Sequence, residues 1–174
     1  MSQKRIASVT AALHAIVEGA VSEAMAGAVT RIGLSRPAEP GAPEAWLHLY
    51  RLGAAAAARN LPTRRGAGAA RSRTSVDLHY LIGFAAEEPL AAELMLEKVL
   101  VAIESGPVLG AAQIEAGVRN FSSLADSGLA FQAEPVRLIL SYPPPDESAR
   151  MWMGLQPSLQ VTASPVLLDH DRSA

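Results

Sequence analysis

At 174 residues, 49% of them hydrophobic and 18% charged, the chain matches one packed domain rather than a disordered one. A globule of that length buries about 70% of its unfolded surface, so no covalent staple is needed. The absence of cysteine excludes disulfides, iron–sulfur clusters and thiolate zinc sites, and a net charge of −2 gives no general pull toward nucleic acid or membrane.

With only 5% aromatic residues, alanine, leucine and valine must build most of the core. The amino terminus, Met1 to Arg5 followed by a segment broken by His14, Glu18 and Glu23, lacks the continuous apolar run of a signal peptide, so a soluble protein is expected. Ile6, Val9, Leu13, Val17, Val21 and Met25 recur at helical steps and predict a helix over 6–25 with one apolar stripe. A short strand at Val29–Leu34 and a proline-punctuated loop from Arg36 to Pro43 follow. Trp46 to Leu52 reads as a strand, its aromatics and leucines suiting a largely buried pleated surface.

Residues 53–74 carry helix-forming alanines, but Pro62, Gly66 and Gly68 among arginines favour a flexible loop. Val76 to Phe84 alternates as a strand, with Val76, Leu78, Tyr80 and Ile82 on one face and Asp77, His79, Leu81 and Gly83 on the other. Pro89 opens a helix that stops at Ser105-Gly106-Pro107. It is apolar on most sides, with Glu93, Glu97 and Glu104 on one narrow face, so it is expected to be buried on several sides, in the core or between subunits. Its apolar stretch from Leu90 to Ile103 is too short to span a bilayer.

Val108 to Asn120 fits no element clearly, and Gly117 and Gly128 mark this region as weakly structured. Val136 to Tyr142 is a strand ended by Pro143 to Pro145, after which Asp146 or Ser148 could cap a short helix carrying Met151 and Trp152. Leu159 to Leu168 alternates as a last strand, with Pro165 at an edge or bulge. The expected fold is α/β (α+β), a twisted mixed or antiparallel sheet with helices packed on it. One domain spans 1–174, with a flexible Arg/Ala/Gly-rich loop at about 53–74 and a loose carboxy-terminal tail from about 169.

Asp77 and His79 lie two apart on a strand and share a face. As metal ligands they would need further partners from His14, His48, His170 and scattered carboxylates, so a hydrogen-bonded pair at a sheet surface or subunit contact is favoured. Asp169-His170-Asp171 reads as a solvated terminus rather than a cation clamp. No serine sits in a Gly-x-Ser-x-Gly elbow, and Gly66-Ala67-Gly68 lacks the rest of a dinucleotide or phosphate-loop motif. Glu87-Glu88 before Pro89 suits a helix amino terminus. No catalytic, cofactor or metal residues are assigned, and no enzyme is expected.

The charge distribution is more informative. Arg51, Arg59, Arg64, Arg65, Arg71 and Arg73 lie between Ala45 and Val76 without one acidic residue, while carboxylates gather at 87–104 and 146–169. Such a bipolar subunit can pair its basic patch with an acidic surface. Arg59, Arg64, Arg65, Arg71 and Arg73 are therefore the candidate partner-contacting residues, guanidinium forks on an adaptable loop. The alternative use of that loop, binding nucleic acid, would show steep salt dependence. The charge of −2 and the lack of aromatics beside the arginines weigh against it.

Several segments in order resemble a known family. They are Leu49-Tyr50-Arg51-Leu52, Arg59-Asn60, Val76-Asp77-Leu78-His79-Tyr80-Leu81, Pro107-Val108-Leu109, Val136-Arg137-Leu138, Met151-Trp152 and Pro165-Val166-Leu167-Leu168-Asp169. Together they resemble the tail-terminator, or cap, proteins of extracellular contractile injection systems, which are phage-tail-like particles. The resemblance implies a phage tail-terminator-like fold and a structural ring, expected to be a hexamer, on the last layer of inner tube and sheath. Such a cap would end polymerisation at the distal end and anchor the sheath. Its partners would be itself and the tube and sheath subunits, with no nucleic acid or membrane. Assembly in the cytoplasm is implied, in a particle then either released or kept inside the cell. The alanine- and arginine-rich loop departs from the family pattern, so contacts made there are expected to be peculiar to this chain. Some family members carry further carboxy-terminal sequence, and no function of that extension is carried over.

Overall fold

A computed structural model describes residues 4–33, 41–55, 72–124, 127–132, 134–141 and 157–170. Helix α1 (Arg5–Ala24) follows the expected stripe: Val9, Leu13, Val17 and Val21 are completely buried. The chain then turns at Gly27, whose φ of +81° is open to glycine at little cost, into strand β1 (Val29–Ile32). Strands β2 (Glu44–Ala54) and β3 (Ser72–Ala85) follow, then α2 (Ala91–Ser105), β4 (Val108–Leu109), α3 (Ala111–Arg119), β5 (Val136–Ser141) and β6 (Ser158–His170). Single 3-10 turns lie at Ser122–Leu124 and Leu129–Phe131.

The strands form one mixed sheet in the order β1-β2-β3-β6-β5-β4. β1 runs parallel to β2 and every other pairing is antiparallel. α1 and α2 both touch the sheet, and α1 also contacts α2 and α3. Ala45, Leu47, Leu78, Tyr80, Ile82, Phe84, Leu138, Val161 and Ala163 supply the sheet's side of one continuous core. Tyr80 is fully buried, and its hydroxyl lies 2.9 Å from Thr10 Oγ1, which donates to the Ile6 carbonyl at 3.1 Å. A buried phenol is thereby hydrogen-bonded, as burial requires.

The fold class is as expected, but several sequence expectations are corrected. The Pro89 helix is buried along one side only, by Ala91, Met95, Val99 and Ile103, while Leu90, Leu94 and Val101 are 70%, 52% and 51% exposed. Its composition suggested burial on several sides, in the core or between subunits; within one chain its position over the sheet covers one face. α2 starts at Ala91 without a side-chain cap, and the Glu87 carboxylate just before it lies over Gly41.

Residues 108–120 are not weakly structured. They form β4 and α3, and Gln113 Oε1 accepts the Gly110 N–H at 2.7 Å where the helix starts. β2 runs to Ala54 and β3 begins at Ser72, while most of the expected 53–74 loop lies outside the described residues. Asp169 and His170 are the last residues of β6, in register with Arg73 and Ser72. β6 lies inside the sheet between β3 and β5, so Pro165 sits at a bulge, not an edge. The register there passes from Val76–Val166 to Leu78–Ala163, which removes the need for a ladder N–H from proline. The expected short helix after Pro145 lies outside the described residues.

Candidate interaction surface

Alternation sends one set of strand residues into the core and the other to the opposite face of the sheet. On that opposite face a row crosses four strands. Arg51 on β2 pairs with His79 on β3, His79 with Thr162 on β6, and Thr162 with Ile139 on β5. Arg137, opposite Ser164, extends the row one step along β5. Arg51, Arg137 and Ile139 are exposed, Ile139 by 52%. Tyr50 is the extra residue of a β2 bulge, since the register jumps from Leu49–Tyr80 to Arg51–His79. That slip puts Arg51 on this outer face, beside the histidine.

Asp77 and His79 share the outer face, as expected, but no hydrogen bond joins them. His79 Nδ1 lies 3.0 Å from Thr162 Oγ1, while Asp77 Oδ1 is buried without a hydrogen-bond partner. Partial burial, and then the Arg51 guanidinium, hold the His79 imidazole below its ordinary 6.5, with Asp77 pulling the other way. Burial also lowers His48. Burial pushes the Tyr80 phenol well above its ordinary value, against the opposing effect of its hydrogen bond with Thr10. Tyr80 is thus a core residue and no part of the surface.

The lowered histidines have a consequence for stability. With its pKa depressed in the fold, each binds fewer protons folded than unfolded, so its stabilising contribution is present above 6.5 and is lost as pH falls below it. The melting midpoint should fall as pH drops from about 7 to about 5, and more gently in a His48→Gln/His79→Gln variant. Thermal melts across that range check this, and equally steep declines in both proteins would contradict it.

Of the other sequence-predicted residues, Pro165 lies at the β6 bulge, and Asp169 and Arg73 are backbone partners in the β3–β6 register. Arg59, Asn60, Arg64, Arg65, Arg71 and Trp152 lie outside the described residues. Arg137, Ile139 and Thr162 were missed, although the Val136–Leu140 alternation marks Arg137 and Ile139 as outward-facing. Among the described residues no group of His, Asp or Glu side chains converges as metal ligands. An open groove of about 450 Å³ between α1, β1, β2 and the turn at Ser122–Leu124 is mainly apolar, with Thr10, His48 and Ser123 among its lining. None of the described helices is long and apolar enough to cross a membrane.

A family model described as the Pvc16 N-terminal domain matches residues 8–174. Among solved structures, the chain is similar to the PVC sheath/tube terminator of an extracellular contractile injection system in its extended state. The TM-score is 0.65 at 14% identity, over 98% of this chain and 58% of that one. It is also similar to the anti-feeding prophage cap, the AFP tube-terminating cap, with a TM-score of 0.54 at 18% identity, over 92% of this chain and 55% of that one. At those identities the likeness is one of fold, and the chain spans a little over half the length of either structure. No curated protein matches it.

Proposed function

Because the chain belongs to the Pvc16 N-terminal domain family, we propose that it is a structural cap that ends the inner tube and sheath of a contractile injection particle. The observation that carries this reading is the family match over residues 8–174, supported by the shared fold of two terminators. The cap is a ring, expected to be a hexamer, of copies of this chain. It stops growth by geometry: one face is complementary to the last tube or sheath layer, and the other cannot accept a further layer. No bond is made or broken, so the chain works as an interaction protein and not as an enzyme. Its partners are its own copies and the tube and sheath subunits, and assembly takes place in the cytoplasm. Arg59, Arg64, Arg65, Arg71 and Arg73 are proposed to contact those partners, where weak contacts repeated around a ring reinforce one another.

Native mass measurement and negative-stain images test this with the purified chain, alone and mixed with tube and sheath subunits. Rings, free or seated on tube ends, are expected. A chain that stays monomeric and never associates with either subunit would overturn the reading.

A further inference from the structure

Two surfaces on opposite sides of the fold complement each other. On α2, Leu94 and Val101 share a narrow arc of the helix away from the buried Ala91–Met95–Val99–Ile103 side, 52% and 51% exposed, and Leu90, the residue just before the helix, is 70% exposed. Leu90 has a φ of +67°, a left-handed conformation that is unfavourable for a bulky residue. The fold thus holds a leucine in a strained backbone and leaves its side chain in water. Strain of this kind persists at contact and functional sites more often than elsewhere.

Glu93 and Glu97 flank the same stripe, both exposed, with Lys98 on its other side. As like charges one turn apart, Glu93 and Glu97 weaken the isolated helix slightly, and an external cation would relieve that. Across the molecule, the outer sheet face presents Arg51 and Arg137 around exposed Ile139. Of its carboxylates, Asp77 is partly buried and Glu44, at the start of β2, is 1% exposed. Three strand spacings and two residues along β5 put the arginine backbones about 16 Å apart. Glu93 and Glu97, four residues apart, have backbones about 6 Å apart along α2, so the two arginine side chains reach inward over Ile139 to meet them. One surface is apolar with an acidic rim, the other a polar sheet face that carries one exposed isoleucine between two arginines.

We propose that the exposed face of α2 on one copy docks on the outer sheet face of the next copy, head to tail, and that this is the subunit contact of the ring. Leu90, Leu94 and Val101 meet Ile139, while Glu93 and Glu97 meet Arg51 and Arg137. Because the two surfaces differ and lie on opposite sides, the contact is heterologous, the kind that closes into rings. It rests on the ring reading above and names its interface.

Charge reversal in two variants tests it. Glu93→Arg/Glu97→Arg alters only the helix surface, and Arg51→Glu/Arg137→Glu only the sheet surface. All four side chains are exposed, so circular dichroism and melting midpoints close to the parent's confirm folding. Each variant alone should need about tenfold or more higher concentration to assemble, by light scattering or native mass. An equimolar mixture should recover assembly, because in an alternating ring one junction is wild type and the other is reversed on both sides. Variants that assemble like the parent, or a mixture that stays dissociated, would overturn the proposed interface while leaving the cap reading intact. In the second case the surfaces serve tube or sheath subunits, or a like-with-like contact. A parent chain that never self-associates, even on tube ends, removes the ring reading and this interface with it.

Discussion

Replacing Gly117 by alanine should lower the melting midpoint by about 4–8 °C, although alanine is the better helix former. Gly117 sits in α3 against α1, and a Cβ built there would lie 2.4 Å from the Ala12 Cα and 2.6 Å from its amide nitrogen. Ordinary van der Waals contact starts at 3.4 Å, and the obstructing atoms are backbone, so no side-chain rotation relieves the clash. Helix propensity favours alanine by about 1 kcal/mol. Overpacking against a rigid partner costs about 3 kcal/mol, so the clash wins by about 2 kcal/mol. For a domain of this size each kcal/mol moves the midpoint by about 2–4 °C. A Gly117→Val variant should lose more, since the larger side chain forces the helices further apart. Thermal melts of both variants check the sign, and an unchanged or raised midpoint for alanine would show that α1 and α3 can separate at little cost.

Arg31→Met should destabilise the fold by about 2 kcal/mol, and most of that loss should be recovered in the Arg31→Met/Glu44→Met double variant. Glu44 begins β2 and is only 1% exposed, and Arg31 Nε on the parallel neighbour β1 donates to its Oε1 at 3.1 Å. Removing the arginine takes one charged partner from a buried carboxylate, whereas removing both charges leaves an apolar pair of similar volume. The effect is put at the lower end for a buried pair because the Arg31 side chain is 36% exposed and water still screens it. Urea unfolding of the two variants and the parent gives the comparison. A double variant no better than the single would mean that Glu44 is held mainly by its other contacts.

The parts of the fold written as long periodic patterns were legible in the sequence. Val9, Leu13, Val17 and Val21 specify α1 because a four-turn stripe has no competing reading, and the alternation of Leu78, Tyr80 and Ile82 fixes the core face of β3. What failed to show depends on neighbours distant in the chain. α3 reads as weak because Gly117 lowers its propensity, yet that glycine exists for a contact with Ala12, more than a hundred positions away. The exposed side of α2 cannot be told from a buried one by composition, since leucine on a helix says nothing about what lies over it.

The surface was partly visible for the same reason. Asp77 and His79 share a face by strand geometry alone. Their partners Arg51 and Thr162 come from strands whose register depends on bulges at Tyr50 and Pro165. The Arg31–Glu44 pair, buried on its glutamate side, had no local signal, because each residue taken alone looks like a surface charge. The charge asymmetry between the 45–76 and 87–104 segments was readable, and Arg51, Glu93 and Glu97 from those segments now belong to two opposite surfaces.

The claim that the chain caps a particle is tested most directly by electron cryo-microscopy of the ends of intact particles assembled with a tagged copy of this chain. The expected image shows tag density at one end of each particle, as a single ring against the last tube and sheath layer, with none along its length. Tag density spread along the tube or sheath, or absent from both ends of otherwise complete particles, would contradict it.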